Sequence, residues 1–296
     1  MNRFKIIFVM IIWGSVGIFA KYIPLSPILL AFSRAIISIP VILILISISK
    51  NTLIKDLKLK DIKPLIFSGV LIGLAWWALF AAFKHTNIAI AILAYNMCPV
   101  YVLMLSPKLL KERLNRNHII NIVMAIIGLI IIVVPSLNQN DSSLWGIIFG
   151  IISGLLYSFI VIVNRRSSNS VDPLSSTLIQ MIAASCTLFP IVLLEKPIIQ
   201  LFSIGTHGLI MLLILGIFHT GIGFSIYFSS YKTLSAISVA LLSYLEPVFG
   251  ICFGVIFLRE SLTIWQIVGG VLILGSTVFE KLGSYQKKER SLSTLK

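Results

Sequence analysis

A single carboxylate, Glu246, stands inside a run from Ile237 to Leu258 that is otherwise uncharged, and Pro247 follows it directly. A charge at the centre of a bilayer costs about 3 kcal/mol or more unless it meets a partner or a wet cavity. Glu246 begins about 14 Å into its run by helical rise, close to mid-membrane. There a carboxyl group can bind an amine or carry a proton. The competing reading is a protonated Glu that hydrogen-bonds a neighbouring helix at the proline. Arg34 is the other charge inside an apolar run and away from its ends. It either snorkels outward along its stem or faces a cavity, where it would bind a carboxylate or pair with Glu246. Solutes bearing both an amine and a carboxylate would match such a pair.

Aromatic and polar residues at the same depth extend the candidate site. Trp76 and Trp77 fall mid-run, away from the interface where Trp usually collects. Tyr95 and Tyr244 stand near Pro99 and Pro247. His219, Gly223 and Tyr227, spaced i, i+4, i+8, share one helix face. A cavity lined this way suits amphipathic or aromatic solutes, with cation–π contacts for amines. His219 is a second candidate for a proton site, and Asn96 and Trp13 are weaker members of the set. For each of these the bland reading is packed or lipid-facing bulk. Glu112 and Glu260 lie at helix ends beside Arg113 and Arg259, where pairing or capping is the default and gating the alternative.

No catalytic cluster accompanies these groups. Cys98, Cys186 and Cys252 make no close pair and no metal spacing, and no metalloprotease or phosphate-loop motif occurs. The expectation is a protein without cofactor, metal or enzymatic activity.

The elements that must hold such residues are membrane helices. Of 296 residues, 58% are hydrophobic and 11% charged, against roughly 25% charged in soluble domains. Ten apolar runs are long enough to span, at about 4–22, 28–48, 64–83, 87–107, 118–135, 145–163, 175–194, 208–228, 237–257 and 264–282. The first has a basic start, but it is too long and ends too bulkily for a cleaved leader. With the N-terminus inside, 19 Lys and Arg fall on the inner side and 4 on the outer. The positive-inside rule then places both termini in the cytoplasm. It also explains the net charge of +14 without a nucleic-acid partner. The expected location is the cell's inner or plasma membrane.

An internal repeat sharpens this picture. At one offset of 148 residues Pro99 matches Pro247, Glu112 matches Glu260, Lys84 matches Lys232, Phe80 matches Phe228 and Gly73 matches Gly221. Two halves of five spans each place the second half upside down, an architecture of secondary transporters whose sites sit at interrupted helices near the midplane. Pro99 and Pro247 are the expected helix breaks, freeing the carbonyls of Tyr95 and Ser243. A plain kink between packed helices is the competing reading. Gly146, Gly150 and Gly154 form a small-residue face for close helix approach.

The motif order WGS (Trp13 to Ser15), Arg34, a proline in the fourth span, LKERL (Leu110 to Leu114), EPVFG and LRESLT (Leu258 to Thr263) resembles the EamA family of the drug/metabolite transporter (DMT) superfamily. The resemblance implies an all-α polytopic membrane protein, ten transmembrane helices arranged as two inverted five-helix EamA repeats around a central cavity. The repeats would cover 1–136 and 137–283, with a basic cytoplasmic tail at 284–296. It implies a secondary transporter, expected as an exporter, of small organic metabolites such as amino acids or amphipathic amines, working by alternating access. Its partners would be that solute, membrane lipids and a proton as coupling ion; the oligomeric state is left open. A membrane structural, sensor or lipid-handling protein is the alternative. This chain departs from symmetry at Cys98, which stands where Glu246 stands in the second half.

Overall fold

The structure, a computed structural model, describes residues 2–49, 58–86, 88–133, 144–195, 199–258, 264–265, 267–273 and 275. Among these every regular element is a helix. In chain order they are α1 (Asn2–Gly14), α2 (Val16–Tyr22), α3 (Pro27–Ile48), α4 (Leu59–His85), α5 (Ile88–Tyr95), α6 (Cys98–Leu109) and α7 (Arg116–Val133). They continue with α8 (Leu144–Ser167), α9 (Pro173–Glu195), α10 (Gln200–Ser203), α11 (Gly205–Ile214), a π segment (Leu215–Ile222), α12 (Gly223–Ser230), α13 (Ala236–Ser243) and α14 (Leu245–Leu258). Among the described residues five helical stretches are long and apolar enough to cross a membrane: Pro27–Ile48, Leu59–His85, Leu144–Ser167, Pro173–Leu194 and Gly205–Ser230. Cys98–Leu109, Arg116–Ile131 and Ala236–Gly250 are shorter apolar helices.

Several expected spans are thus interrupted. The first breaks at Ser15, the fourth at Asn96–Met97 and the ninth at Tyr244. In the last two the break falls before the proline, not at it. A proline ring clashes with the turn preceding it, so the chain leaves the helix there. The proline then sits in the first turn of the next helix, where its missing N–H has no bond to lose. Pro99 enters α6 this way and Pro247 enters α14. The tenth expected span, Arg259 and Glu260 lie partly or wholly outside the described residues.

Polarity is arranged for lipid outside and polar groups inside. Large apolar side chains such as Ile44, Phe67, Met104 and Leu194 are exposed, while Ser68, Asn164, Gln180 and Thr220 are buried. The buried amides satisfy one another. Ser68 donates to Gln180 Oε1 at 2.6 Å, Asn164 Nδ2 donates to the same oxygen at 2.9 Å, and Gln180 Nε2 returns a bond to Asn164 Oδ1 at 2.9 Å. This knot joins α4, α8 and α9, as hydrogen bonding away from water requires.

The packing follows the repeat. Shifted by the offset of 148 residues, the bounds of α5 become those of α13. On the same shift α3 falls on α9, α4 on α11 through α12, and α1–α2 on α8. Contacts then come in related pairs: α4 packs on α8 as α12 does on α1, and α4 on α9 as the π segment does on α3. The two halves therefore interleave. Gly154 marks the tightest place near the break. A Cβ there would stand 2.6 Å from the Tyr95 carbonyl oxygen and 3.3 Å from that of Ala94. Backbone cannot yield cheaply, so Gly154→Val is expected to cost about 1–3 kcal/mol, read as a lowered melting temperature of the purified protein. An unchanged melting temperature would mean the two helices separate freely.

Candidate functional site

The interrupted helices meet at the centre of the protein. A pocket there is lined from the first half by Trp13, Tyr95, Asn96, Cys98 and Pro99, and from the second by Tyr157, Val161, Tyr227, Ala240, Ser243 and Glu246. Three of these contacts are repeat-related pairs: Tyr95 with Ser243, Cys98 with Glu246, and Trp13 with Val161. The pocket thus lies where the two halves mirror each other. The space open to the centres of water molecules is about 20 Å³, room for about one water. Both interrupted helices turn at its wall. Asn96 Nδ2 donates to the Ile92 carbonyl at 2.8 Å, capping the end of α5 with its own side chain.

Glu246 is half-buried and lines this pocket, and no hydrogen bond or ion pair to its carboxyl group is found among the described residues. The reading in which it bonds a neighbouring helix therefore finds no partner here. Tyr95 and Tyr157 stand edge to face with ring centroids 5.6 Å apart. Trp13 packs on Tyr227 at 4.8 Å and on Phe224 at 4.8 Å.

Arg34 does not snorkel. Its side chain is 4% exposed, Nε donates to Thr220 Oγ1 at 2.9 Å, and the guanidinium lies 4.2 Å over the Trp76 ring. Phe80 lies on another side at 6.0 Å. Trp76 in turn meets Phe224 at 5.3 Å, so rings connect the Arg34 niche to Trp13 and the pocket. Arg34 and Glu246 make no ion pair within 4.0 Å, so of the alternatives for Arg34 a direct pair with Glu246 is not formed here. A planar guanidinium stacks on an indole where an ammonium cannot. Arg34→Lys keeps the charge but loses the stack and the fork, so a loss of about 1–2 kcal/mol is expected, measured by chemical or thermal unfolding. Equal stability would place the guanidinium off the ring.

The π segment positions the neighbours of Arg34. Its wider turn aims Thr220 Oγ1 at the Leu215 carbonyl, 3.0 Å away, and His219 Nδ1 at that of Ile214, 3.4 Å away. Such segments often mark functional positions in helices. His219 Nε2 lies 2.8 Å from Ser15 Oγ, and Ser15 donates its own proton to Ile12 at 2.7 Å. A neutral imidazole carries one N–H, so the tautomer sets whether Nε2 donates to Ser15 or accepts from it while Nδ1 donates to Ile214. Trp13 Nε1 donates to the His219 carbonyl at 2.8 Å. Gly223 permits that approach, since a Cβ there would stand 2.9 Å from the indole nitrogen.

Of the residues expected from the sequence, the structure brings Trp13, Tyr95, Asn96, Tyr227, Glu246 and Pro99 to the pocket wall. Arg34 and Trp76 form the adjoining niche. His219 sits one layer back, bound to Ser15. Trp77 packs on Phe149 instead, at 5.8 Å. Tyr244 belongs to a separate apolar cluster with Leu103, Ile122 and Leu129. It stands at the break that ends α13, and its side chain packs into that cluster, not into the pocket. Tyr157, Val161, Ala240 and Thr220 were not singled out in advance, and Phe80 was named only for its repeat match to Phe228. Val161 was reachable through the offset from Trp13; Tyr157 had no signal, since nothing in the α8 pattern marks its inward face.

At one end of the bundle a second polar group joins the halves. Glu112 Oε1 accepts from the backbone N–H of Ala236 at 3.0 Å, and Oε2 from that of Ile237 at 3.4 Å, which caps α13. Arg165 Nε meets Glu112 Oε1 at 3.3 Å, and its Nη1 donates to the Tyr231 carbonyl at 2.7 Å.

The model of the EamA-like transporter family matches residues 4–134 and 144–279. An uncharacterized transporter, YxxF, of Bacillus subtilis (strain 168) is 26% identical over 273 residues, 91% of this chain and 86% of that one. An uncharacterized transporter of Helicobacter pylori (strain ATCC 700392 / 26695) is 29% identical over 277 residues, 90% of this chain and 89% of its own. The WAT1-related protein At3g02690, chloroplastic, of Arabidopsis thaliana is 25% identical over 198 residues, 64% of this chain and 48% of that protein. One solved crystal structure superposes with a TM-score of 0.78 at 18% identity, over 95% of this chain and 96% of the other. That likeness concerns the fold.

Proposed function

The chain belongs to the EamA-like transporter family, and from that premise we propose that it is a secondary transporter of small organic metabolites, amino acids or amphipathic amines among them. The solute passes through the central pocket by alternating access, in the export direction, with Glu246 as the group that binds the amine or exchanges a proton. The protein is a multi-pass component of the inner or plasma membrane with both termini in the cytoplasm. The end carrying Glu112 and Arg165 is then the cytoplasmic one, and that carrying Pro24, Lys84 and Gln200 the outer one. It is not an enzyme on this reading.

One observation carries the proposal. A carboxyl group with no protein partner lines a pocket built from repeat-related residues of both halves, which is where inverted-repeat transporters place their sites. A water-sized space fits an occluded state between two openings. The test is uptake and efflux of a panel of labelled amino acids, amines and neutral analogues in proteoliposomes, with and without a pH gradient. Saturable, gradient-dependent flux of one class supports the reading. A structural or sensor protein would leave the vesicles silent for every class.

A further inference from the structure

A solute-sized space also lies away from the central pocket. A cavity of about 400 Å³ opens at the outer end, against about 20 Å³ at the centre by the same measure. Small-molecule sites typically occupy about 300–1,000 Å³. Its walls come from the connection after α2, from the first turn of α3, from the last turns of α4 and from Gln200. Leu25, Leu30 and Phe83 make them apolar, and Lys84 is the charged residue among those lining it. Gln200 Oε1 accepts the Ser26 N–H at 2.7 Å, which turns its NH2 toward other acceptors. Phe80 belongs both to this cavity and to the niche of Arg34, whose guanidinium carbon lies 6.0 Å from the ring. One aromatic ring therefore separates the cavity from a 4% exposed cation. Beyond the Nε bond to Thr220, the Arg34 fork has no hydrogen-bond partner among the described residues.

We propose that this outer vestibule is a binding station for an organic anion with an apolar body, held by Lys84 at its mouth above Phe80 and Arg34. Lys84 lines it, Arg34 lies behind the Phe80 ring, and no carboxylate is found among the described residues that line it, so a cationic solute is repelled and a neutral one gains nothing from the charge. The apolar walls take the body of the ligand. The inference rests on the transport reading in one respect: it makes the carboxylate the part of the solute that engages the outer end, while Glu246 takes the amine at the centre. The same chemistry is offered by a dissolved carboxylate and by an anionic lipid of the outer leaflet.

The experiment is equilibrium binding of labelled phenylacetate to the full chain in phosphatidylcholine nanodiscs, with phenylacetamide as the neutral competitor. Saturable binding is expected, displaced by unlabelled phenylacetate and not by phenylacetamide. Lys84→Gln should weaken it about tenfold, the loss of one charge-assisted hydrogen bond, and Lys84→Arg should restore it. Loss of binding when phosphatidylglycerol is added supports the station and makes the lipid its resident. Equal binding in Lys84→Gln, equal displacement by phenylacetamide, or no saturable binding in phosphatidylcholine overturns the proposal. Glu246→Gln should leave phenylacetate binding unchanged. If that variant transports normally while Lys84 still governs binding, the central-pocket reading fails and the vestibule stands.

Discussion

Glu246→Gln is expected to lower gradient-driven transport by about a hundredfold, the loss of one charge-assisted contact and of the proton it exchanges. Gln has nearly the same volume, and the Glu246 carboxyl group has no hydrogen-bond or ion-pair partner among the described residues, so nothing in the packing of α14 depends on it. The melting temperature and the membrane insertion should therefore stay those of the wild type. That separation of function from fold is what distinguishes a cavity carboxylate from a structural one. A buried, bonded Glu would show the opposite pattern, with stability falling and transport falling only in proportion. If the variant transports normally and keeps its response to the pH gradient, Glu246 is no site residue and the solute path lies elsewhere.

The second large effect is expected at the end where Glu112 joins the halves. Glu112→Ala removes the carboxylate that caps α13 and the partner of Arg165. A cap is worth about 1 kcal/mol and a hydrogen bond to a charged group about 1.5–3. The side chains are 13% and 29% exposed, so screening trims the ionic part and leaves the backbone bonds as the main loss. A local cost of about 2 kcal/mol follows, or about thirtyfold in an opening equilibrium. Hydrogen exchange should report it as faster exchange in peptides covering 236–243, with peptides from α3 and α9 unaffected. Because α13 leads directly into Tyr244 and Glu246, loosening it should also favour opening of the pocket toward this end. Unchanged exchange in α13 would show that the Glu112 cap is dispensable.

Both predictions concern residues whose importance was only partly legible beforehand. Glu246 stood out because a lone carboxylate in an apolar run is costly, which is a one-dimensional fact. Glu112 was visible as a helix-end acid beside Arg113, but its actual partners, Arg165 and the first turn of α13, are 53 and 124 residues away. Arg34 shows the same limit. The run around it left snorkelling and burial open, and the choice was made by Trp76 on one side and by Thr220, delivered by the π segment, on the other. Nothing in LGIFHTGI announces a π turn; it arises where α3 packs against that stretch.

The sequence by itself determined the helical, membrane-embedded character, because composition and run length decide where a chain can be free of water. It also determined the repeat, and with it which positions face each other across the centre, since one offset relates helix bounds as well as residues. Only the tertiary structure decided which face of each helix turns inward. Trp76 and Trp77 are adjacent in sequence, yet one lies under the Arg34 guanidinium and the other meets Phe149 edge to face, because neighbouring residues on a helix point about 100° apart. Tyr157 joins the pocket and Tyr244 leaves it for the same reason: in a chain apolar on nearly every side, the inward face is set by the partner helix and carries little mark in the pattern of residues.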